Sequence, residues 1–110
     1  MKIEAYSGKY DDEIIALVLS IQNEEAKIDL SLAEQPDLTD ITRFYQKDGG
    51  NFRIALADGK VIGTVGLMMK ENGCAVLKKF FVQKAYRSQK VGLALYTQLL
   101  TFAAGKGVSA

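Results

Sequence analysis

The chain has 110 residues, of which 48% are hydrophobic and 25% charged, and its net charge is +1. This size predicts one small domain with a modest core, and no apolar run is long enough to cross a membrane. The sequence contains no histidine and a single cysteine, which excludes a histidine-based triad, a histidine-ligated metal and an intramolecular disulfide. We therefore expect a cytoplasmic protein that uses no metal and carries no secretory signal.

The charges are unevenly distributed along the chain. Residues 1–50 have a net charge of −6 and residues 51–110 a net charge of +7. Such an asymmetry suits a protein that takes a polyanionic cofactor on one side and a cationic amine on the other. Two ordinary solvated surfaces would give the same pattern, so both interpretations stay open at this point.

The first half of the chain predicts a short strand followed by two helices. Ile3 and Ala5 alternate with polar residues, which is typical of a strand. Apolar residues at helical spacing predict a helix from about Asp12 to about Asn23, and residues 24–35 are mixed enough to be loop or a short turn. A second helix is expected to begin at Pro36 and to end at Gly49-Gly50, with four apolar residues on one side: Leu38, Ile41, Phe44 and Tyr45.

The second half predicts three strands and a helix. Residues 52–57, 61–69 and 74–82 are rich in apolar and β-branched residues, and Asp58-Gly59 and Asn72-Gly73 separate them. Both dipeptides favour tight hairpin turns, which gives an antiparallel meander. A helix over residues 91–104 follows, with Val91, Leu95, Leu99 and Phe102 on one face; we expect Gly105 to Gly107 to end it and a further strand to begin at Val108.

The junction between the last predicted strand and this helix is basic. Arg87 and Lys90 lie just before the helix start, and Gly92 follows within its first turn. A helix start exposes unpaired N–H groups and the positive end of the helix dipole, so it attracts phosphate. The two cations could be solvated charges, but cations at a helix start oppose the dipole, and an anionic partner is the better explanation.

The same residues resemble a known pattern, motif A of the GNAT superfamily of N-acetyltransferases, Val-x-Pro-x-Tyr-Arg-Gly-x-Gly-Ile/Val-Gly-x-x-Leu. Leu77 to Phe81 also resembles the strand that precedes this motif in the family. Lys84 stands where the motif has proline, and Ser88 and Lys90 replace two of its glycines. The matching residues are Val82, Tyr86, Arg87, Val91, Gly92 and Leu95.

The resemblance implies an α/β fold, with a mixed, mostly antiparallel sheet and helices on both faces. Residues 1–110 would form a single acetyl-CoA-binding domain that is incomplete at its C-terminus and truncated after the start of the fifth strand. In the family the fourth strand, here residues 74–82, bulges and separates from the fifth, and pantetheine lies between them. We therefore expect either a C-terminal continuation or a homodimer in which another chain covers this edge.

The resemblance also implies a reaction, direct transfer of an acetyl group from acetyl-CoA to a primary amine of a small molecule or peptide. Backbone amides near Phe81 would pair with pantetheine and polarise the acetyl carbonyl, and amides from Ser88 to Leu93 would hold the pyrophosphate. The implied cofactor-binding residues are Phe80, Phe81, Val82, Arg87, Ser88, Gln89, Lys90, Val91, Gly92 and Leu93.

The catalytic groups of the family are not matched here. The base is commonly a carboxylate on the fourth strand, where this chain has Val76, and the tyrosine that often serves as acid would lie past Ala110. The catalytic residues are therefore unknown. Tyr86 is expected to be a packing residue, and Cys74, which has no histidine partner, a buried small hydrophobe.

Two other functions are compatible with the residues. A non-catalytic acyl-CoA-binding module, or an inactive fragment of an acetyltransferase, would explain Val76 and the unmatched tyrosine. A nucleic-acid binder is disfavoured by the near-neutral charge and by few exposed aromatic residues near the candidate cations. Those cations are Lys78, Lys79, Lys84, Arg87 and Lys90.

Overall fold

The computed structural model describes residues 1–47 and 49–106, in which four strands form one antiparallel sheet. Each strand pairs with the next along the chain, so the spatial order is β1-β2-β3-β4. The expected α/β fold is confirmed. The strands are β1 (Lys2–Ala5), β2 (Asn51–Ala57), β3 (Lys60–Met69) and β4 (Ala75–Val82).

The turns between β2, β3 and β4 follow from their dipeptides. Asp58 and Gly59 both adopt positive φ, 51° and 77°, which is the geometry of the predicted two-residue hairpin. A 3-10 turn at Glu71–Gly73 connects β3 to β4, and the amide of Lys70 donates to the carbonyl of Cys74 at 2.7 Å. The predicted meander is confirmed.

Two α-helices pack on opposite faces of the sheet. The first, α1 (Asp11–Ser20), continues into a π-helical turn at Ile21–Glu25, and the second is α2 (Val91–Lys106). The helix reaches Lys106, two residues past the predicted Ala104 and within the segment from Gly105 to Gly107 expected to end it, because a glycine inside a helix costs only about 1 kcal/mol. The strand expected at Val108 lies outside the described residues.

The helix predicted from Pro36 is wrong as a continuous element. The chain instead forms a 3-10 turn at Pro36–Leu38 and a π-helical turn at Thr42–Gln46. The first turn closes on itself, since the amide and the hydroxyl of Thr39 both donate to the Pro36 carbonyl, at 3.2 and 2.9 Å. The predicted apolar side is nevertheless buried: Leu38, Ile41 and Tyr45 are at most 2% exposed.

The sheet separates two apolar clusters. One lies under α1 and the irregular turns, and it includes Ile14, Val18, Leu38, Ile41, Tyr45, Phe52 and Ile54. The other lies under α2 and includes Ile62, Val65, Leu67, Val91, Leu95, Leu99 and Ala103. Helices on both faces therefore cover the sheet, as predicted, and the predicted apolar face of α2 is the buried one.

Two buried side chains connect the end of α1 to the loop that follows it. Gln22 and Gln35 exchange amide hydrogen bonds in both directions, each 2.8 Å long. Both residues are buried, so the pair fixes the loop by satisfying four polar groups at once.

The outer edge of β4 pairs with no strand in the part of the chain that the structure describes. Several apolar side chains beside this edge are exposed by 39–61%: Val76, Leu77, Phe80, Leu93, Tyr96 and Leu100. The expected homodimer stays a prediction. No helix within residues 1–47 and 49–106 is both long and apolar enough to span a membrane.

Candidate functional site

The junction between β4 and α2 is a tight, ordered connection. The amide of Gln83 donates to the Ile62 carbonyl at 2.7 Å, which fixes the end of β4. A 3-10 helix at Lys84–Gln89 follows, and Lys90 separates it from the first residue of α2. The start of α2 therefore lies beside the end of β4.

An open cleft of about 420 Å³ lies at this junction. Six of the ten predicted cofactor-binding residues line it: Phe80, Val82, Arg87, Lys90, Gly92 and Leu93. The structure thus brings basic and apolar side chains together at a helix start, which is suitable for an anion attached to an apolar chain.

The other four predicted residues do not present side chains to the cleft. Phe81 packs against the cluster under α1, and Val91 is buried under α2. Ser88 and Gln89 are exposed on the 3-10 helix. All four could serve a ligand through their backbone groups, which is the role expected of them.

Lys90 occupies a conformation that is unusual for a residue with a side chain. Its φ and ψ are 60° and 26°, in the left-handed region that favours glycine. This is the position at which the motif has glycine. The loop therefore keeps its shape with a cation in place of the glycine, at a conformational cost of about 1 kcal/mol.

Gly92 leaves space on the cleft side of the helix start. A Cβ there would lie 3.6 Å from the Val82 Cγ2 atom and 3.7 Å from the nearest Phe80 ring atoms, which are ordinary contacts. Its φ is not positive, so neither packing nor backbone conformation requires glycine at this position. The missing side chain instead lets a ligand approach the first turn of α2 closely.

Arg87 already has two partners in the structure. Its Nε donates to the Val82 carbonyl at 2.9 Å, and its Nη2 lies 2.7 Å from the Glu25 Oε1 atom. The view of Arg87 as a merely solvated charge is therefore wrong. Sequence reasoning missed Glu25 as part of this site, since 62 residues separate the two and no motif connects them.

A β-bulge interrupts β4 just before the cleft. Gly66 pairs with Lys78 and Thr64 with Phe81, so Lys79 and Phe80 together lie opposite one residue of β3. Lys79 has a φ of 53°, and its carbonyl accepts a hydrogen bond from the Thr64 hydroxyl at 2.7 Å. The fourth strand thus bulges at the place that the family resemblance implies.

At this bulge the side chain of Lys79 enters a buried ion pair with Asp37. The Lys79 Nζ lies 3.3 Å from the Asp37 Oδ2 atom, and the two side chains are only 10% and 9% exposed. The Tyr45 hydroxyl donates to the same oxygen at 2.5 Å. Burial, together with this hydrogen bond to the carboxylate, raises the pKa of Tyr45.

The comparison with family models decides which group of proteins this site belongs to. A model described as the acetyltransferase (GNAT) family matches residues 15–110, most of the chain. The chain belongs to the GNAT family. Among curated proteins no sequence matches it.

Solved structures place the GNAT chain beside two bacterial acetyltransferases. A GNAT-family acetyltransferase from Staphylococcus aureus Mu50 is 34% identical, with a TM-score of 0.94. An acetyltransferase from Streptococcus agalactiae 2603 is also 34% identical, with a TM-score of 0.93. In both cases the match covers 97% of this chain and 68% of the other.

A more distant GNAT-fold structure was solved with a ligand. It is an aminoglycoside 6'-N-acetyltransferase complexed with coenzyme A, 14% identical and with a TM-score of 0.72. The match covers 97% of this chain and 57% of that one. At this identity the likeness shows the fold alone.

The structure agrees with some of the predictions made for Tyr86, Cys74 and Val76 of this GNAT chain and contradicts one of them. Tyr86 packs against the cluster under α2, which supports its expected packing role. The prediction that Cys74 is buried is wrong: it is exposed, because it lies in the turn before the first residue of β4. Val76 is 42% exposed on β4, and its side chain carries no carboxylate.

Proposed function

We propose that the protein is an N-acetyltransferase that moves an acetyl group from acetyl-CoA to a primary amine of a small molecule or peptide. The cleft between the end of β4 and the start of α2 is the observation that carries this proposal. It combines two cations, an unobstructed glycine and exposed apolar side chains on the GNAT fold. A GNAT-fold relative solved with coenzyme A supports the choice of cofactor.

In the proposed binding mode, backbone groups and side chains of the protein contact different parts of coenzyme A. The free N–H groups at the start of α2, with Lys90, would hold the pyrophosphate, and Gly92 leaves it room. Phe80 and Leu93, which are 39% and 61% exposed, would cover part of the pantetheine chain. The backbone amide of Val82, which points away from β3, would donate to the acetyl carbonyl.

The reaction requires a neutral amine, because an amine with a pKa of about 10.4 is protonated at neutral pH. Its nitrogen attacks the thioester carbonyl, the new C–N bond forms and the C–S bond breaks. The amine then loses its extra proton and the thiolate gains one. Amides that donate to the carbonyl oxygen stabilise the negative charge that develops there.

The exposed Val76 favours a second candidate, a module that binds acyl-CoA without turning it over. Under both candidates residues 1–110 belong to one cytoplasmic acetyl-CoA-binding domain. We do not expect nucleic acid to be the partner. Two of the five candidate cations, Lys79 and Arg87, are already paired with carboxylates.

Incubation with acetyl-CoA and a panel of primary amines separates the two candidates. Thiol release together with an acetylated product, identified by mass spectrometry, would support the enzyme. Calorimetric binding of acetyl-CoA with no product for any amine would support the binding module. Absence of binding would remove both. Gly92→Asp, which sets a carboxylate against the phosphate site, is the matched control.

A further inference from the structure

We propose that Lys79 and Asp37 are positioning residues for acetyl transfer, because their buried ion pair holds the β4 bulge in the shape that presents the Val82 amide to the thioester. The inference rests on the proposed function of the β4–α2 cleft. It assigns a task to a charge pair that takes no part in the proposed cofactor binding.

The bulge has a backbone conformation that needs an external restraint. Lys79 adopts a φ of 53°, which a lysine seldom takes, and such conformations persist where the surrounding structure determines them. One restraint is the Thr64 hydroxyl, which donates to the Lys79 carbonyl at 2.7 Å. The second is the side chain of Lys79 itself, held by Asp37.

The ion pair is buried deeply enough to act as a strong restraint. Both side chains are about nine-tenths buried, so water competes little for either charge. Separating the pair would leave an unpaired charge in the interior, which is far costlier than losing a surface ion pair. The bulge therefore cannot relax to a regular strand without breaking this contact.

The carboxylate is itself fixed from the other side. Tyr45, which is fully buried, donates to Asp37 and packs its ring against Gly66. A Cβ on Gly66 would lie 2.5 Å from the Tyr45 Cε1 atom, so only glycine fits there. Since Gly66 pairs with Lys78, the tyrosine occupies the space directly beside the bulge.

These contacts form a closed chain of rigid groups around the bulge. It runs from β3 through Tyr45 and Asp37 to Lys79 and returns to β3 through Thr64. Phe81 and Val82 follow the bulge directly along β4. A change of the bulge would thus move the outward-facing Val82 amide relative to the thioester, while the phosphate contacts at α2 would stay in place.

The test compares two lysines of the same strand. Lys79→Met removes the buried charge, and Lys78→Met removes the same charge from a neighbour for which the described part of the chain shows no ion pair. Lys79→Arg is the conservative rescue. Lys79→Gly, which tolerates positive φ, asks whether backbone conformation alone suffices. Asp37→Asn with Lys79→Met leaves no buried charge unpaired and provides a folded variant should Lys79→Met fail to fold.

Four quantities are measured: folding by circular dichroism, amide chemical shifts of Phe81 and Val82 in the ligand-free protein, the dissociation constant for coenzyme A, and kcat for acetyl transfer. In Lys79→Met, Lys79→Gly and the double variant we expect kcat to fall about 10- to 100-fold, because a misplaced amide stabilises the transition state poorly. The two amide shifts should change, while the coenzyme A dissociation constant stays within about threefold. Lys78→Met and Lys79→Arg should resemble the wild type.

Two failures are distinguishable. A wild-type protein that acetylates no amine, whether or not it binds coenzyme A, would overturn the proposed function and this inference with it. A wild-type protein that does both would overturn this inference alone if the folded Lys79→Met or double variant kept its kcat and its two amide shifts. Full activity in Lys79→Gly would equally overturn it, since the ion pair would then be dispensable.

Discussion

The Arg87 guanidinium joins the end of α1 to the end of β4: its Nη2 lies 2.7 Å from the Glu25 Oε1 atom, and its Nε donates to the Val82 carbonyl at 2.9 Å. The two side chains are 44% and 34% exposed, so the pair is partly screened by water. A phosphate group in the adjacent cleft would have to share this cation with a carboxylate. Glu25 therefore competes with the proposed cofactor for Arg87.

We expect Glu25→Gln to tighten acetyl-CoA binding about two- to fivefold, because it frees the charge of Arg87 for phosphate at the cost of a surface ion pair. Arg87→Ala should weaken binding about tenfold. Calorimetric titration at low and high salt measures both, and Lys84→Ala removes a nearby exposed cation as the control. Unchanged affinity in both Glu25→Gln and Arg87→Ala would show that Arg87 only joins the two elements.

Substitution of Gly92 should separate steric fit from charge. Gly92→Ala places its Cβ at ordinary contact distances of 3.6–3.7 Å, so we expect an unchanged fold and modestly weaker acetyl-CoA binding. Gly92→Asp adds a carboxylate against the phosphates and should weaken binding by about 2 kcal/mol or more. Equal affinity of the alanine and aspartate variants would argue against a phosphate at this helix start.

Lys90→Gly should change stability and binding in opposite directions. Glycine relieves the left-handed conformation, which costs about 1 kcal/mol, but its larger unfolded-state entropy offsets about 0.5–1 kcal/mol of this. We therefore expect a gain of at most about 0.5 kcal/mol in the free energy of unfolding. Loss of the charge should weaken acetyl-CoA binding severalfold. Urea unfolding and calorimetry measure the two effects. Lys90→Asn, which tolerates the conformation less well than glycine, should lose the affinity and gain less stability.

The fourth strand lacks a base at Val76, so adding one is informative. Val76 is 42% exposed, which allows Val76→Glu to fold normally, and the new carboxylate should increase acetyl transfer to amines or shift its pH profile towards neutral. Val76→Gln is the matched neutral control. Brisk turnover by the wild type, reduced by the glutamate, would mean that a base elsewhere already serves the reaction.

Tyr45 should make the protein sensitive to alkali. Burial and the bond to Asp37 raise the pKa of this phenol above that of the unfolded chain, about 10. The stabilisation that comes from this raised pKa is therefore complete below pH 10. Above pH 10 the unfolded state releases the phenol proton first, so the stabilisation is lost at about 1.4 kcal/mol per pH unit. Burial and Asp11 likewise raise the pKa of Tyr6 to about 12.

Urea unfolding at pH 8 to 12 tests whether the free energy of unfolding falls in this way as the pH rises. Tyr45→Phe should be less stable than the wild type at pH 8, by about 1–3 kcal/mol, because Asp37 loses a hydrogen bond. The difference should shrink above pH 10. Tyr6 and the Lys79 ammonium that faces Asp37 are present in both proteins, so parallel stability curves would show that folding does not shift the pKa of Tyr45.

Local sequence signals predicted the parts of the fold that depend on neighbouring residues. The hairpin at Asp58 and Gly59 needs positive φ at two adjacent positions, and this dipeptide supplies it. The site was found for a similar reason, since strand, basic loop and helix start are contiguous along the chain. Leu38, Ile41 and Tyr45 were also placed correctly on a buried face, even though the expected helix proved to be two separate turns.

Contacts between distant residues could not be predicted in this way. Asp37 and Lys79 are 42 positions apart. The family resemblance implied a bulge in the fourth strand, but nothing near Lys79 indicates that its side chain turns inward to meet Asp37. The same holds for Glu25 and Arg87. At Pro36, the periodicity of the apolar residues favoured a helix, but Thr39 closes the turn early by donating twice to one carbonyl. Such competition between side chain and backbone leaves no trace in hydrophobic spacing.

The reciprocal amide bonds between Gln22 and Gln35 limit how this protein can change. Replacing either glutamine alone with leucine leaves the buried amide of the other without its hydrogen-bond partner. Replacing both removes the two amides together. Viable substitutions at these positions should therefore arise jointly. A selection experiment that randomises one position would return glutamine, and one that randomises both would recover apolar pairs and, with them, loops of altered shape after α1.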